Sequence, residues 1–363
     1  MAIDNKEKEV LNVPPLRFPE FTGEWQCKAI EKVAPLQRGF DLPTQNLVEG
    51  IYPVIYSNGI LQHHDKYKCE APGLITGRSG TIGKFTYIDS GFYWPHNTSL
   101  WVTDFCGNCP KFIYYLYQTV HIEQFSTGSG VPTLNRNDVH RYKTSVPTAI
   151  VEQEKIAKFL SILDERIVTQ NKIIEDLNKL KSAISECIFN SIKGDVVMLS
   201  EICDIVKGKQ INGEYLSESG EYYVMNGGTE PSGYYSEYNV KANTISISEG
   251  GNSCGYVQFN NFPFWSGGHC YSLQNIADIV DNLYLYHYLK SKEEAIMKLR
   301  IGSGLPNIQK KDLAMFKTIV PLFEQQITIS TFLSSLERKA EIEERILNVM
   351  QKQKLYLLQQ MFI

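Results

Sequence analysis

The 363-residue sequence predicts a mixed α/β (α+β) fold built as a tandem duplication with pseudo-twofold symmetry: two globular domains separated by two long antiparallel coiled-coil helices. Three observations carry that expectation. Two stretches without glycine or proline, each entered behind a proline, repeat apolar residues every seven positions. A motif ahead of each stretch recurs at a constant offset of 174 (303 minus 129). In each half, a strand-like run also opens into a glycine-rich loop followed by aromatic residues. The expected organisation is a first globular domain over residues 1–147, a long helix over 148–193, a second globular domain over 194–321 and a second long helix over 322–363.

Residues 1–15 are expected to be loosely attached. Then come Leu16-Arg17-Phe18-Pro19-Glu20-Phe21 and Gly23-Glu24-Trp25, followed by Ile30-x-x-Val33-x-x-Leu36-x-Arg38-Gly39, an apolar strip at helical spacing. The second half opens alike, with Leu199-x-x-Ile202-x-x-Ile205-x-Lys207-Gly208, 169 residues on (208 minus 39). Gly50-Ile51-Tyr52-Pro53-Val54-Ile55 answers Gly220-Glu221-Tyr222-Tyr223-Val224-Met225, and each precedes a polar turn, Ser57-Asn58-Gly59 or Asn226-Gly227-Gly228. Leu74 to Lys84, with its Gly77-Arg78-Ser79-Gly80-Thr81-Ile82-Gly83 loop, answers Thr244 to Gly255, where Glu249-Gly250-Gly251-Asn252 stands in place of Gly77-Arg78-Ser79-Gly80. Ser129-Gly130-Val131-Pro132-Thr133-Leu134 then matches Ser303-Gly304-Leu305-Pro306-Asn307-Ile308.

In the first long helix, Ile156, Leu163, Gln170, Leu177 and Ile184 share one heptad position, and Phe159, Ile173, Leu180 and Cys187 a companion position. Leu160, Ile167, Ile174 and Ile188 flank them. The second helix repeats the scheme with Ile329, Leu336, Glu343, Met350 and Leu357, with Phe332 and Ile346, and with Leu333, Ala340, Leu347 and Met361. Gln170 and Glu343 interrupt the main stripe near the middle of each helix. Antiparallel pairing would bring them together as a polar lock on register; the alternative is that both face solvent. A helix of about 40 residues is about 60 Å long, enough to hold two reading domains at spaced DNA half-sites, as a ruler would.

Composition sets limits. With 36 Lys+Arg against 40 Asp+Glu, the chain lacks the profile of a free-standing basic DNA binder, so a nucleic-acid role needs a partner that shares the phosphate contacts. No apolar run suits a membrane span and the first ten residues are not signal-like, so a cytoplasmic location is expected. The eight scattered cysteines suit reduced core thiols.

No residue set supports catalysis. The Gly77 to Lys84 loop has one residue too many for a Walker A loop, and Phe85 stands where a magnesium-binding Ser or Thr belongs. Cys106-Gly-Asn-Cys109 has ligand spacing but no second pair, so no metal is expected. His63, His64 and His269 lack catalytic partners and read as surface or DNA-facing. The candidate DNA contacts are Arg38, Asn58, Arg78, Ser79, Thr81, Lys84 and Arg136 in the first domain, and Lys207, Lys209, Gln210, Asn226, Asn252, Lys310 and Lys311 in the second. For any single one, a solvated surface is the competing reading.

The Leu-Arg-Phe-Pro-Glu-Phe…Trp opening, the Gly-Arg-Ser-Gly-Thr-Ile-Gly-Lys loop, the doubled Ser-Gly-x-Pro-x-Leu/Ile motif and helices beginning near Glu152-Gln153 and Glu324-Gln325 resemble the specificity subunit of type I restriction-modification systems. The resemblance spans essentially the whole chain. It implies two target recognition domains, each reading half of a bipartite asymmetric site in double-stranded DNA, and helices that set the spacer and dock two methyltransferase subunits, with restriction subunits joining. S-adenosylmethionine, ATP and magnesium would act in those partners, with no cofactor in this chain. The rival classes are a coiled-coil scaffold with ligand- or protein-binding ends, and a self-sufficient methyltransferase, for which no cofactor fingerprint is found.

Overall fold

The computed structural model describes residues 12–363 apart from 129, 303 and 305. Ser129, Ser303 and Leu305 of the repeated motif, and residues 1–11 of the segment expected to be loose, therefore lie outside the described residues. The chain divides into two compact units: unit 1, Met1–Gln170 with Ile346–Ile363, and unit 2, Asn171–Arg345.

In unit 1 the strands Leu36–Arg38, Ser99–Val102, Gly73–Gly77 and Phe85–Ile88 form a four-stranded antiparallel sheet in that order. Unit 2 repeats it with Asp204–Lys207, Cys270–Gln274, Thr244–Ser248 and Val257–Asn260. The strands Gly73–Gly77 and Thr244–Ser248 are buried along their whole length. Both faces are covered, so even the hydroxyl residues Thr76, Thr244, Ser246 and Ser248 that alternate with the isoleucines in these strands are buried. Beside each lies a second sheet, with Tyr52–Tyr56 parallel to Phe92–Pro95 in unit 1 and Tyr222–Met225 parallel to Trp265–Ser266 in unit 2. One helix covers each main sheet, Pro110–Thr119 in unit 1 and Asn282–Ser291 in unit 2.

The apolar strips read at helical spacing are not continuous helices. Ile30–Lys32 is a single 3₁₀ turn followed by the strand Leu36–Arg38, and Leu199–Ile202 is one turn followed by Asp204–Lys207. Pro35 cannot continue the turn in unit 1, and Cys203 is extended in unit 2, so the third apolar residue is buried from a strand instead.

The long helices are Ile150–Ser191 and Phe323–Met361. Their heptad phase differs from the expected one. Phe159, Ile173, Leu180, Phe332 and Ile346, assigned to the companion position, are exposed, whereas Leu160 and Leu333 of the flanking row are fully buried. Packing therefore follows a 4-3 alternation such as Ile156, Leu160, Leu163 and Ile167. The companion row is interrupted by Arg166, Lys339 and Gln353 and could not have formed a continuous seam. Two lysines occupy the flanking row. In unit 1 Lys354 pairs with Asp164 at 2.7 Å, and in unit 2 Lys181 pairs with Glu337 at 3.3 Å. The two pairs share one offset, 173 (354 minus 181; 337 minus 164). Gln170 and Glu343 are 7% and 8% exposed, which removes the solvent-facing alternative, and Lys339 meets the Glu343 carboxylate at 2.5 Å.

Each globular core is completed by the end of a long helix. In unit 1 the Phe362 ring stacks on Phe112 at 5.3 Å and meets Trp25 edge-on at 6.4 Å. In unit 2 Phe189, 173 positions earlier, meets Tyr284 and Tyr288 at 5.8 and 5.4 Å. The start of each long helix is tied in by a buried glutamine, Gln153 or Gln326. The Leu-Arg-Phe-Pro motif has a structural use as well: Arg17 donates twice to the Glu152 carboxylate, at 2.7 and 2.8 Å, and Trp25 Nε1 donates to it at 3.1 Å.

Three smaller expectations are corrected. Residues 12–15 are held in place, since Asn12 Oδ1 accepts from Ser145 Oγ at 2.9 Å, Trp25 N donates to the Asn12 carbonyl at 2.8 Å and Pro14 is buried. His64 is a core residue whose Nδ1 lies 2.9 Å from the Val48 carbonyl and whose ring packs on Trp94. Of the eight free cysteines, Cys69, Cys203, Cys254 and Cys270 are buried, while Cys27, Cys106 and Cys187 are exposed.

Candidate nucleic-acid interface

In unit 1, Arg38, Arg78 and Arg136 line one open cavity of about 620 Å³. Arg38 closes the strand Leu36–Arg38, Arg78 follows the strand Gly73–Gly77, and Arg136 opens the helix Arg136–Arg141. The loop after Gly77 is tight, because a Cβ there would meet the Thr81 carbonyl oxygen at 1.8 Å. Arg78 is fixed on both sides: its N–H donates to the Thr98 carbonyl at 2.9 Å and its carbonyl accepts from Leu134 N at 2.8 Å. That second bond joins the loop to the repeated Pro-Thr-Leu motif, and Gly80 N adds a bond to the Pro132 carbonyl at 3.0 Å. Arg38 is paired with Asp41 at 2.9 Å. Among the described residues, Arg78 and Arg136 have no carboxylate partner. Ser79 borders this groove, and its backbone bridges to Thr133, whereas Asn58, Thr81 and Lys84 do not line it.

Unit 2 keeps the backbone and changes the charges. Glu249 N donates to the His269 carbonyl at 2.9 Å, its carbonyl accepts from Ile308 N at 2.8 Å, and Gly251 N donates to Pro306 O at 3.0 Å. The structural counterpart of Arg78 is thus Glu249, one residue from the frame expected from the loops, in which Glu249 faced Gly77. Aligning glycines misplaced it because unit 2 carries Ser248 at the tight Gly77 position. The Glu249 carboxylate accepts from Lys207 Nζ at 2.6 Å and Tyr271 Oη at 3.0 Å through one oxygen. Burial, with Glu249 next, pushes the Tyr271 hydroxyl far above the usual tyrosine range, so it stays a donor. Asn226 Oδ1 accepts from His269 N at 3.2 Å, which brings Asn226 beside this cluster. Lys209, Gln210, Asn252, Lys310 and Lys311 are exposed around it, with Lys310 and Lys311 opening the helix Lys310–Ala314. Glu249 was missed as a site residue; its signal was an acidic residue at a loop entrance whose counterpart is basic.

His140 supports the unit 1 groove by accepting from Leu36 N at 2.9 Å through Nε2, which requires a neutral ring. Burial lowers its pKa most, Glu31 opposes this in part, and Arg136 lowers it further. A depressed histidine contributes stability that is present above the unfolded value of about 6.5 and lost as pH falls through the folded value. Unfolding of unit 1 followed by tryptophan fluorescence should shift to lower urea between about pH 7 and about pH 5, and His140→Gln should flatten that dependence. An unchanged slope in the variant would assign the acid sensitivity elsewhere.

No cluster of His, Cys, Asp or Glu among the described residues could hold a metal ion. Nor is any described helix long and apolar enough to cross a membrane.

The family of type I restriction modification DNA specificity domains matches residues 22–179 and 193–352, one domain in each half. The chain belongs to this family. As a specificity subunit it belongs with the recognition chains of such systems and not with their catalysts. It is 33% identical over 156 residues to the putative type I specificity subunit S.MpnORF638P of Mycoplasma pneumoniae, an alignment covering 42% of this chain and only 41% of that protein. Identity to the putative type I specificity subunit S.MgeORF438P of Mycoplasma genitalium is 23% over 308 residues, 79% of this chain and 80% of that one. The crystal structure of the type I restriction-modification system S subunit from M. genitalium shares the fold with a TM-score of 0.70 at 20% identity, covering 97% of this chain and 99% of that chain.

Proposed function

We propose that this specificity subunit reads a bipartite asymmetric sequence in double-stranded DNA, each globular domain, 1–147 and 194–321, taking one half-site. The observation that carries the reading is the repeated frame: the same backbone bonds in both units, with Arg38, Arg78 and Arg136 around a cavity in one and the Lys207–Glu249 pair at the matching position in the other. One frame with different side chains suits two different base sequences. The long helices set the spacer and dock two adenine-methyltransferase subunits, with restriction subunits joining that core. The exposed apolar residues Phe159, Ile162 and Val168 in unit 1, and Ile173, Leu180 and Phe332 in unit 2, support such docking. S-adenosylmethionine, ATP and magnesium belong to the partners, and the complex works in the cytoplasm. Partner subunits supply the phosphate contacts that a net charge of −4 leaves short.

The test is a genome-wide map of adenine methylation in cells carrying the partner methyltransferase, with and without this chain. A split motif of fixed gap that appears only with the chain is expected. If competent methyltransferase yields no chain-dependent motif, the scaffold reading replaces this one.

A further inference from the structure

We propose that Arg78 is the base-reading residue of the unit 1 groove, presenting its guanidinium to the paired acceptors N7 and O6 of a guanine, and that Glu249 closes the equivalent position in unit 2. This rests on the reading of the chain as a DNA specificity subunit and names the group its first groove takes. Arg78 leaves the end of a buried strand with its backbone bonded on both sides, so the side chain starts from a rigid point. It is half-buried, and its donors meet no carboxylate among the described residues. The ligand chemistry is therefore a pair of acceptors in one plane, which a guanine edge and a backbone phosphate both supply. Position separates the two sources. Arg136, exposed, and Arg38, half exposed and tethered to Asp41, stand nearer the solvent side of the groove, as phosphate contacts do. Arg78 is less exposed and its backbone is bonded on both sides, so its fork starts from a fixed point inside the groove, which suits a base edge.

In unit 2 the same backbone position carries the opposite charge. One Glu249 oxygen is taken by Lys207 and Tyr271, and the other is enclosed without a hydrogen-bond donor, His269 Nδ1 standing 3.8 Å away. With its side chain only 10% exposed, Glu249 offers a base no donor and holds the Lys207 ammonium at the groove edge. The two half-sites should then differ at this position: unit 1 requires a guanine, and unit 2 does not read one there.

The experiment uses the full chain assembled with its methyltransferase partners and a duplex carrying the site mapped by methylation. Arg78→Gln is expected to weaken binding about ten- to a hundred-fold and to relax the motif at one guanine of one half-site. Placing 7-deazaguanine, which lacks the N7 acceptor, at that base should weaken the parent protein and leave Arg78→Gln unchanged. Arg78→Lys, which keeps the charge and loses the fork, should lose discrimination while keeping the salt dependence. A uniform loss on mapped and scrambled duplexes, with the log–log salt slope reduced by about one, would make Arg78 a phosphate contact and overturn the assignment. So would no change at all in a variant that melts like the parent. Absence of any chain-dependent motif would overturn the DNA reading together with this one, whereas a clear motif indifferent to Arg78→Gln overturns this one alone.

Discussion

Phe362→Ala is expected to cost unit 1 about 3–5 kcal/mol, close to the loss of a large core ring anywhere in a well-packed domain. Phe362 is 4% exposed and fills the space between Phe112 and Trp25. Phe112 belongs to the helix Pro110–Thr119, whose Tyr114 and Tyr117 pack on Tyr87 and Phe85 of the sheet that carries Arg78. Removing the ring should therefore loosen that helix first and the groove after it. Hydrogen exchange is the suitable readout because stability is local. Amides of Pro110–Thr119 should lose protection while those of Asn282–Ser291 keep it, and Trp25 emission should shift to the red. Phe189→Ala should do the reverse through Tyr284 and Tyr288. Equal loss in both helices from either substitution would contradict the division of the cores.

The sequence made the duplication legible because its signals are local. Pro147 and Pro321 ahead of stretches free of Gly and Pro, the doubled Pro-x-Leu/Ile motif and the Arg38/Lys207 pair can all be seen within a short window. Heptad phase was harder. Phe159 and Leu160 are adjacent and both apolar, so the choice rests on polar interruptions several turns away, at Arg166, Lys339 and Gln353. The Arg78/Glu249 equivalence failed by one residue because glycines were aligned, and a glycine required in one copy is a serine in the other. His64 was misread for a different reason. Its partner is the backbone of Val48, and a backbone acceptor has no sequence signature. Distance in sequence hid Glu249, whose side-chain partners Lys207 and Tyr271 lie 42 and 22 residues away.

Gln153→Leu and Gln326→Leu are expected to have comparable effects, each costing its own unit about 2–4 kcal/mol because three hydrogen bonds, one buried and two part-buried, are lost and their backbone partners are left unpaired. Gln153 accepts from Cys109 N at 2.9 Å and donates to the Pro147 carbonyl and to Asn108 Oδ1, both at 2.9 Å. Gln326, 173 residues on, accepts from Asp281 N at 2.8 Å and donates to the carbonyls of Ile279 and Pro321 at 2.9 and 2.8 Å. Each glutamine joins three pieces: the first turn of a long helix, the strand exit before it, and the entry to the helix that covers the sheet. Leucine keeps the volume and the helix propensity, so the change isolates the hydrogen bonds. Because the join also fixes how the long helix leaves the sheet, sequence reading should suffer beyond what unfolding explains. In Gln153→Leu, methylation of the mapped site should fall while the folded fraction, followed by urea unfolding, stays high at low temperature. Gln153→Glu provides the contrast: it keeps the acceptor for Cys109 N but sets a carboxylate against the Pro147 carbonyl, and should be worse than leucine. A leucine variant with parental stability and full methylation would reduce these glutamines to incidental core polar groups.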